Sequence, residues 1–302
     1  MSGLARCCRR AAALFPEPAS MRPSMPSLAF IPSPSDGIVH IGPLPLHAYG
    51  LMLAIGVLVA ARLAEPRARA RGFAPGTIAH VGTWTVVGGV LGARIYHLFT
   101  GYDWDAHGWT GTVQIWKGGL SIWGAVGGGL IGLWLAARHS KLDFVLLADA
   151  IGPCVAVAQA IGRWGNWFNQ ELFGRPSTLP WAVKIDPAHR PPGYEKYATF
   201  EPTFLYESLW CLLVYFVIVW AEKRWSFRRG QSFTLYVALY TFERTFMEWL
   251  RIDAATKIFG LRFNALLSAL LCVVATIWFI HLARMPRTES PEVHEEARPA
   301  TP

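Results

Sequence analysis

The sequence predicts an all-α integral membrane protein of about seven transmembrane helices with a loop region on the outer face. Three observations carry that prediction. Of the 302 residues, 53% are hydrophobic and only 16% charged, where a soluble domain carries about 25% charged residues. The apolar residues gather into segments long enough to cross a hydrocarbon core about 30 Å thick, which takes roughly 20 helical residues. Lysines and arginines collect in alternate connections between those segments, as the positive-inside bias of membrane proteins requires.

The segments fall near 46–64, 78–99, 119–137, 142–162, 204–221, 232–250 and 262–283. Before them, residues 1–40 hold Pro16, Pro18, Pro23, Pro26, Pro32 and Pro34 without sustained periodicity and read as a disordered extension. Residues 41–285 then form one membrane domain, with an outer loop region at 163–203 and a polar, disordered tail at 286–302.

Orientation follows from the basic residues. Arg62, Arg67, Arg69 and Arg71 follow the first span, Arg138 and Lys141 the third, and Lys223, Arg224, Arg228 and Arg229 the fifth. These connections share one side, which should be the cytoplasm. The connection "GYDWDAHGWTGTVQIWK" after the second span has a single lysine, and it places the N-terminus outside and the C-terminus inside. The last outer connection, with Arg251, Lys257 and Arg262, follows the rule less cleanly.

The net charge of +8 would suit a nucleic-acid partner, but the cations flank apolar spans instead of forming one stripe, so none is expected. Three of the five cysteines, Cys154, Cys211 and Cys272, lie in apolar runs, and no spacing suggests a disulfide framework or a metal. Glycines repeat at four-residue intervals, at Gly88 and Gly92 and at Gly124, Gly128 and Gly132, which suits close helix packing in lipid. Pro153 inside the fourth span marks a kink.

Ionisable side chains at membrane depth are costly and face a cavity or a partner. The sequence offers Arg94, Asp149, Arg163, Glu207, Arg244 and Glu248. Tyr240, Arg244 and Glu248 stand at i, i+4 and i+8, along one helical stripe. That stripe admits two readings: a pair that neutralises itself, or a cationic anchor for an anionic head group tuned by its neighbours. In "IGRWGNWFNQELFG", Arg163 and Asn166 share a helical face, while Gly162 and Gly165 remove side chains where something must come close. Asn169 and Glu171 follow as the helix gives way to loop at Gly174. An arginine fork matches phosphate in two-point fashion, so this cluster reads as a lipid-head-group site.

At these residues the chain resembles the bacterial prolipoprotein diacylglyceryl transferases. "GRWGNWFNQELFG" is similar to their signature, G-R-x-G-N-[FW]-x-N-x-E-x-x-G, and the likeness runs from about residue 28 through "HAYGLM", "GAR", "GGLSIWGAVGGG", "PTFLYES" and "YTFERTFMEWLR". The resemblance implies transfer of a diacylglyceryl group from phosphatidylglycerol to the thiol of a lipobox cysteine in a prolipoprotein signal peptide. Glycerol phosphate is released, without metal or cofactor, at a site open to the outer leaflet of the bacterial cell membrane. By the same resemblance, Arg163 and Arg244 handle the phosphate, with Asn166, Asn169 and Gly174 binding the lipid. Tyr49, Tyr240, Glu171 and Glu248 complete the catalytic set. One departure stands out: many members have a histidine, discussed as a base, where this chain has Trp123. The proton of the thiol must then pass to a carboxylate, a tyrosine or water, with Glu171 the better candidate if Glu248 is committed to Arg244. Two rival readings are a transporter or lipid-binding protein without chemistry, and another phospholipid-head-group transferase.

Overall fold

The computed structural model describes residues 30–285 except 35, 42–43, 101–107, 114–118, 120 and 259. The extension before residue 30, much of the connection after the second span, and the tail after Met285 lie outside the described residues. Among those described, seven long helices carry the fold: α1 (Ala48–Arg69), α2 (Thr77–Thr100), α3 (Ile122–His139), α4 (Phe144–Phe168), α5 (Thr203–Arg224), α6 (Gln231–Leu250) and α7 (Phe263–Arg284). Five are long and apolar enough to cross a membrane by length and composition. The other two are diluted for visible reasons. Helix α6 carries Glu243, Arg244 and Glu248, and α3 is rich in glycine from Gly124 to Gly132.

Side-chain size is sorted opposite to a soluble core. The bundle interior is lined by Ala64, Ala68, Ala136, Ala150, Ala156 and Ala160, while Leu58 is 66% exposed, Phe99 86% and Phe216 62%. Large apolar side chains gain nothing by leaving lipid, so they face it, and small residues let the backbones close up. The glycine repeats do this between α2 and α3: a Cβ at Gly88 would lie 2.5 Å from the Gly128 carbonyl oxygen, and one at Gly92 2.7 Å from Gly128 Cα. Helix α4 is the central element: its buried residues run from Leu147 to Asn166, whereas α1 buries only Ala48, Gly56, Ala64 and Ala68. Its start is capped by Asp143, whose carboxylate accepts from the Val145 and Leu146 N–H groups at 3.0 and 3.1 Å.

Two predicted boundaries move. Helix α1 runs past residue 64 to Arg69, with Pro66 inside it, because part-buried Arg67 is held in a tertiary contact. Its guanidinium donates to Glu222 on α5 at 2.8 Å and to the Ala150 carbonyl at 3.0 Å. Helix α4 likewise continues to Phe168, so the outer region assigned to 163–203 opens with a helical turn.

Three two-stranded antiparallel hairpins gather where α1, α5 and α7 begin: β1 (Ile38–Ile41) with β2 (Leu44–His47), β3 (Val183–Lys184) with β4 (Thr199–Phe200), and β5 (Lys257–Ile258) with β6 (Leu261–Arg262). Phe173, Val183, Ile185, Phe200 and Phe204 give this end its own small core. The predicted disordered extension is structured from residue 30 onward. Ile31 bridges to Val183, the Trp167 indole donates to the Pro32 carbonyl at 3.1 Å, and the Gln170 amide donates to the Pro34 carbonyl at 2.8 Å. Prolines lack a backbone donor but keep the acceptor, so Pro32 and Pro34 dock through their carbonyls, while the Ile31 N–H donates to the Ala182 carbonyl at 2.8 Å.

Candidate active site

The site is built on the last turns of α4 and α6, which stand side by side at the hairpin end. Arg163 on α4 donates to Glu207 on α5 at 2.6 Å and reaches the Tyr240 hydroxyl on α6 at 3.5 Å. Arg244 reaches the same Glu207 oxygen at 3.5 Å and is bonded to Glu248 one turn along α6. Glu248 in turn accepts from Arg262 at 2.6 Å and lies 4.0 Å from Arg251. The chain of charges ends at Asp253, which takes Arg251 at 2.8 Å and Arg262 at 3.0 Å. Burial pushes the Asp253 carboxyl up, but Arg251 and Arg262 outweigh it and hold it below the usual carboxylate range. Four guanidiniums therefore share three carboxylates, so this network carries an excess of positive charge. Such an excess, held in a low-dielectric bundle, suits an anion.

The stripe predicted from Tyr240, Arg244 and Glu248 is thus real: Arg244 is paired with Glu248, and through Glu207 it stands beside a second arginine, Arg163. Glu207 joins the two arginines and is 1% exposed. Sequence reading singled it out as an ionisable residue at depth but did not place it in the site. Arg251 and Arg262 were read only as loop charges, and Asp253 was not singled out. Their signal was weak, because a charge in a connection is ordinarily solvated.

A second cluster forms where α4 ends. Asn169 closes the helix, its N–H donating to the Gly165 carbonyl. The chain then passes through two left-handed residues, Gln170 with φ 50° and Leu172 with φ 59°, on either side of Glu171. Non-glycine residues in this region cost energy and persist only where surroundings enforce them. The enforcement is visible: buried Gln170 donates to Asp186 at 2.7 Å and accepts the Asp186 N–H at 2.7 Å. Glu171 is consequently turned outward, and its Oε1 accepts from the amide of Asn166 at 2.8 Å and from that of Asn169 at 3.4 Å. The two asparagines hold a carboxylate in place.

Tyr49, on the first turn of α1, connects the clusters. It lies within electrostatic reach of both Glu171 and Arg163. Gly165 makes room for it: a Cβ there would lie 2.6 Å from the Tyr49 ring. Gly162 is less constrained, with Leu53 at an ordinary 3.5 Å. Gly174 serves a different contact, since it bridges to Arg251 and a Cβ would meet Glu201 at 2.8 Å. Arg163, Asn166, Asn169, Glu171, Tyr49, Tyr240, Arg244 and Glu248 are therefore gathered at one end of the bundle. Gly174 sits behind them, where the loop after α4 crosses the end of α6. Trp123 opens α3 and is 52% exposed.

Two other buried acids differ sharply. Asp149 accepts the N–H groups of Gly230 and Phe233 at 2.5 and 2.9 Å and caps α6 at the opposite end. Glu243, beside Arg244 in sequence, is 5% exposed, and neither of its carboxyl oxygens has a hydrogen-bond partner among the described residues. Arg94 is pinned to carbonyls of Thr112 and Gly119 at 2.8 and 2.9 Å and so orients the segment after α2.

Seven long helices with large side chains turned to lipid, enclosing a linked arginine–carboxylate cluster, define a multi-pass membrane protein with a cationic centre at one end. Comparison with known proteins narrows the class. The chain belongs to the prolipoprotein diacylglyceryl transferase family, whose model matches residues 36–281. It is 52% identical over 260 residues to a phosphatidylglycerol–prolipoprotein diacylglyceryl transferase of Frankia alni, covering 85% of this chain and 68% of the relative. A relative of the same name from Streptomyces griseus is 44% identical over 280 residues, covering 91% of this chain and 84% of its own. Another, from Mycolicibacterium paratuberculosis, is 40% identical over 283 residues, covering 88% and 65%.

Proposed function

We propose that this chain transfers the diacylglyceryl group of phosphatidylglycerol to the thiol of a lipobox cysteine in a prolipoprotein. The observation that carries the reading is the pairing of Arg163 and Arg244 through Glu207, at the end of the bundle where the family signature lies. In the reaction a carbon–sulfur bond forms at the glyceryl carbon while its bond to the phosphate oxygen breaks. The thiol loses its proton, and glycerol phosphate leaves with the electron pair. Preorganised guanidiniums facing the phosphate stabilise charge as it develops on the leaving group. Arg163 and Arg244 are the two that can do so from adjacent helices, with Tyr240 beside Arg163.

The thiolate is the nucleophilic form, and thiols are mostly protonated near neutral pH. Glu171 is the group placed to take that proton. It is exposed at the hairpin end of the bundle, and the two asparagine amides fix its direction. Glu248 is a weaker candidate because Arg244 and Arg262 occupy both its oxygens. Trp123 has no titratable group, so it cannot supply the base. Asn166 and Asn169 then act chiefly through Glu171, and Tyr49 through its seat between Glu171 and Arg163.

The same reading places the chain in the bacterial cell membrane with the N-terminus outside and the C-terminus in the cytoplasm. Support comes from the hairpin end holding the site, while the opposite end holds Arg67, Arg71, Arg138, Lys223, Arg224 and Arg228. The membrane domain spans 41–285 in this scheme, with the outer region at 163–203 and a cytoplasmic tail at 286–302. The test is mass spectrometry of a lipobox peptide incubated with the purified protein and phosphatidylglycerol. A mass gain equal to a diacylglyceryl group on the cysteine is expected. An unmodified peptide would refute transfer, and modification with intact phosphate would indicate a different head-group reaction.

A further inference from the structure

The bundle end far from the site holds a second concavity of different character. It is a cavity of about 480 Å³ formed where α5 ends, α6 begins and α7 ends. Trp220, Trp225, Phe227, Leu235 and Phe279 line its walls, and Arg228 stands at its polar edge. The aromatics pack edge to face, Trp220 against Trp225 at 5.1 Å and Phe227 against Phe279 at 5.9 Å, which holds the walls apart as a groove. Trp220 and Trp225 remain 59% and 52% exposed.

The charges around this groove are unbalanced. Lys223, Arg224, Arg228 and Arg284 lie on the adjoining helix ends and loop. None of them forms an ion pair with a carboxylate among the described residues. The acids at this end are already engaged: Glu222 by Arg67, Arg71 and Ser232, Asp143 by Arg229, and Asp149 by backbone N–H groups of α6. The groove therefore presents an apolar trough that opens to lipid and, at the level of the helix ends, a rim of cations with no ion pair among the described residues. Basic pockets between spans, flanked by aromatic residues at the interface, take lipids with anionic head groups.

We infer that this groove is a binding site for an anionic phospholipid of the leaflet on the arginine-rich side. An acyl chain lies between α5 and α7, and the phosphate meets Arg228 with Lys223 and Arg224. This site is separate from the arginine pair of the candidate active site: along α6, Gln231 and Arg244 are ~20 Å apart at a rise of about 1.5 Å per residue. It does not depend on the transferase reading, since its occupant is held and not consumed.

Native mass spectrometry of the full chain, titrated with phosphatidylserine or phosphatidylcholine, tests the assignment. Wild-type protein is expected to retain one phosphatidylserine in preference to phosphatidylcholine. Arg228→Gln should weaken that preference about fivefold, and the triple change of Lys223, Arg224 and Arg228 to Gln by more than tenfold, as about 1 kcal/mol per surface cation implies. Arg228→Lys should keep it, Arg163→Gln should keep it, and diacylglyceryl transfer by Arg228→Gln should match wild type. Equal retention of the two lipids by wild type would overturn the assignment, as would an unchanged preference in the triple variant. Loss of the preference in Arg163→Gln would also overturn it, since the lipid would then sit at the other end. Competition by water-soluble glycerophosphoserine as effective as the intact lipid would remove the acyl groove from the site and overturn it too.

Discussion

Arg163 and Arg244, which are far apart in sequence and on different helices, converge on one oxygen of Glu207, at 2.6 and 3.5 Å. A single carboxylate thus sets the spacing of the two cations proposed to hold the lipid phosphate. It also leaves each guanidinium with further donors, since an arginine has five N–H groups.

That fork geometry predicts a non-conservative outcome for a conservative change. Arg163→Lys keeps the charge but cannot bond Glu207 and a phosphate in the same plane. Its transfer rate should fall on the order of 10²-fold, the scale for losing one donor to a developing anion. The measurement is diacylglyceryl transfer to a lipobox peptide in membranes. A near wild-type rate would make Arg163 a structural cation only.

The two buried acids beside these arginines should respond oppositely to neutralisation. Glu207→Gln removes the carboxylate from two buried cations, and breaking such a pair costs about 3–5 kcal/mol. Among the described residues Glu243 has no bond to lose at either oxygen, and an unpaired buried acid is itself costly, so Glu243→Gln should leave thermal stability equal or higher. Melting curves in one detergent compare them. A large loss in Glu243→Gln would mean that its carboxyl has a partner.

Acid should loosen the charge chain at Asp253 in the connection between α6 and α7. Its folded pKa is depressed by Arg251 and Arg262, so its contribution is fully present above the unfolded value of about 3.9. That contribution fades as pH falls below that value, through the lower folded pKa. Asp253→Asn should therefore be less stable than wild type at pH 6–8 (roughly neutral), with the gap closing below about pH 4. A gap independent of pH would exclude ionisation as its source.

The place of Trp123 calls for a comparison of Trp123→Phe, Trp123→His, Glu171→Gln and Glu248→Gln across pH. Trp123→Phe should stay active, and Glu171→Gln should lose about 10²–10⁴-fold, the usual contribution of a general base. Inactive Trp123→Phe with both glutamine variants unharmed would overturn the proton route.

Topology is open to a labelling test. Lys196 and Ser226 are exposed at opposite ends of the bundle. In intact cells a membrane-impermeant thiol reagent should modify Lys196→Cys and spare Ser226→Cys, in a background lacking other accessible cysteines. The reverse pattern would move the candidate site to the cytoplasmic side.

The spans themselves were legible because crossing a membrane is a local demand on length and apolarity, met within each segment on its own. The i, i+4, i+8 stripe on α6 and the signature at the end of α4 were legible for the same reason, since helical geometry fixes which residues share a face. The pairing of Arg163 with Glu207, and of Glu248 with Arg262, could not be read this way, because it depends on how α4, α5, α6 and α7 are rotated against one another. The outward turn of Glu171 was hidden too: it rests on Gln170 finding Asp186 and the Pro34 carbonyl across the hairpin end. Sequence determined which residues are helical, which are charged at depth and which side carries the arginines. Tertiary structure alone decided which carboxylate neutralises which arginine and which stays unpaired, because in a low-dielectric bundle that choice is made by contacts between helices distant in the chain.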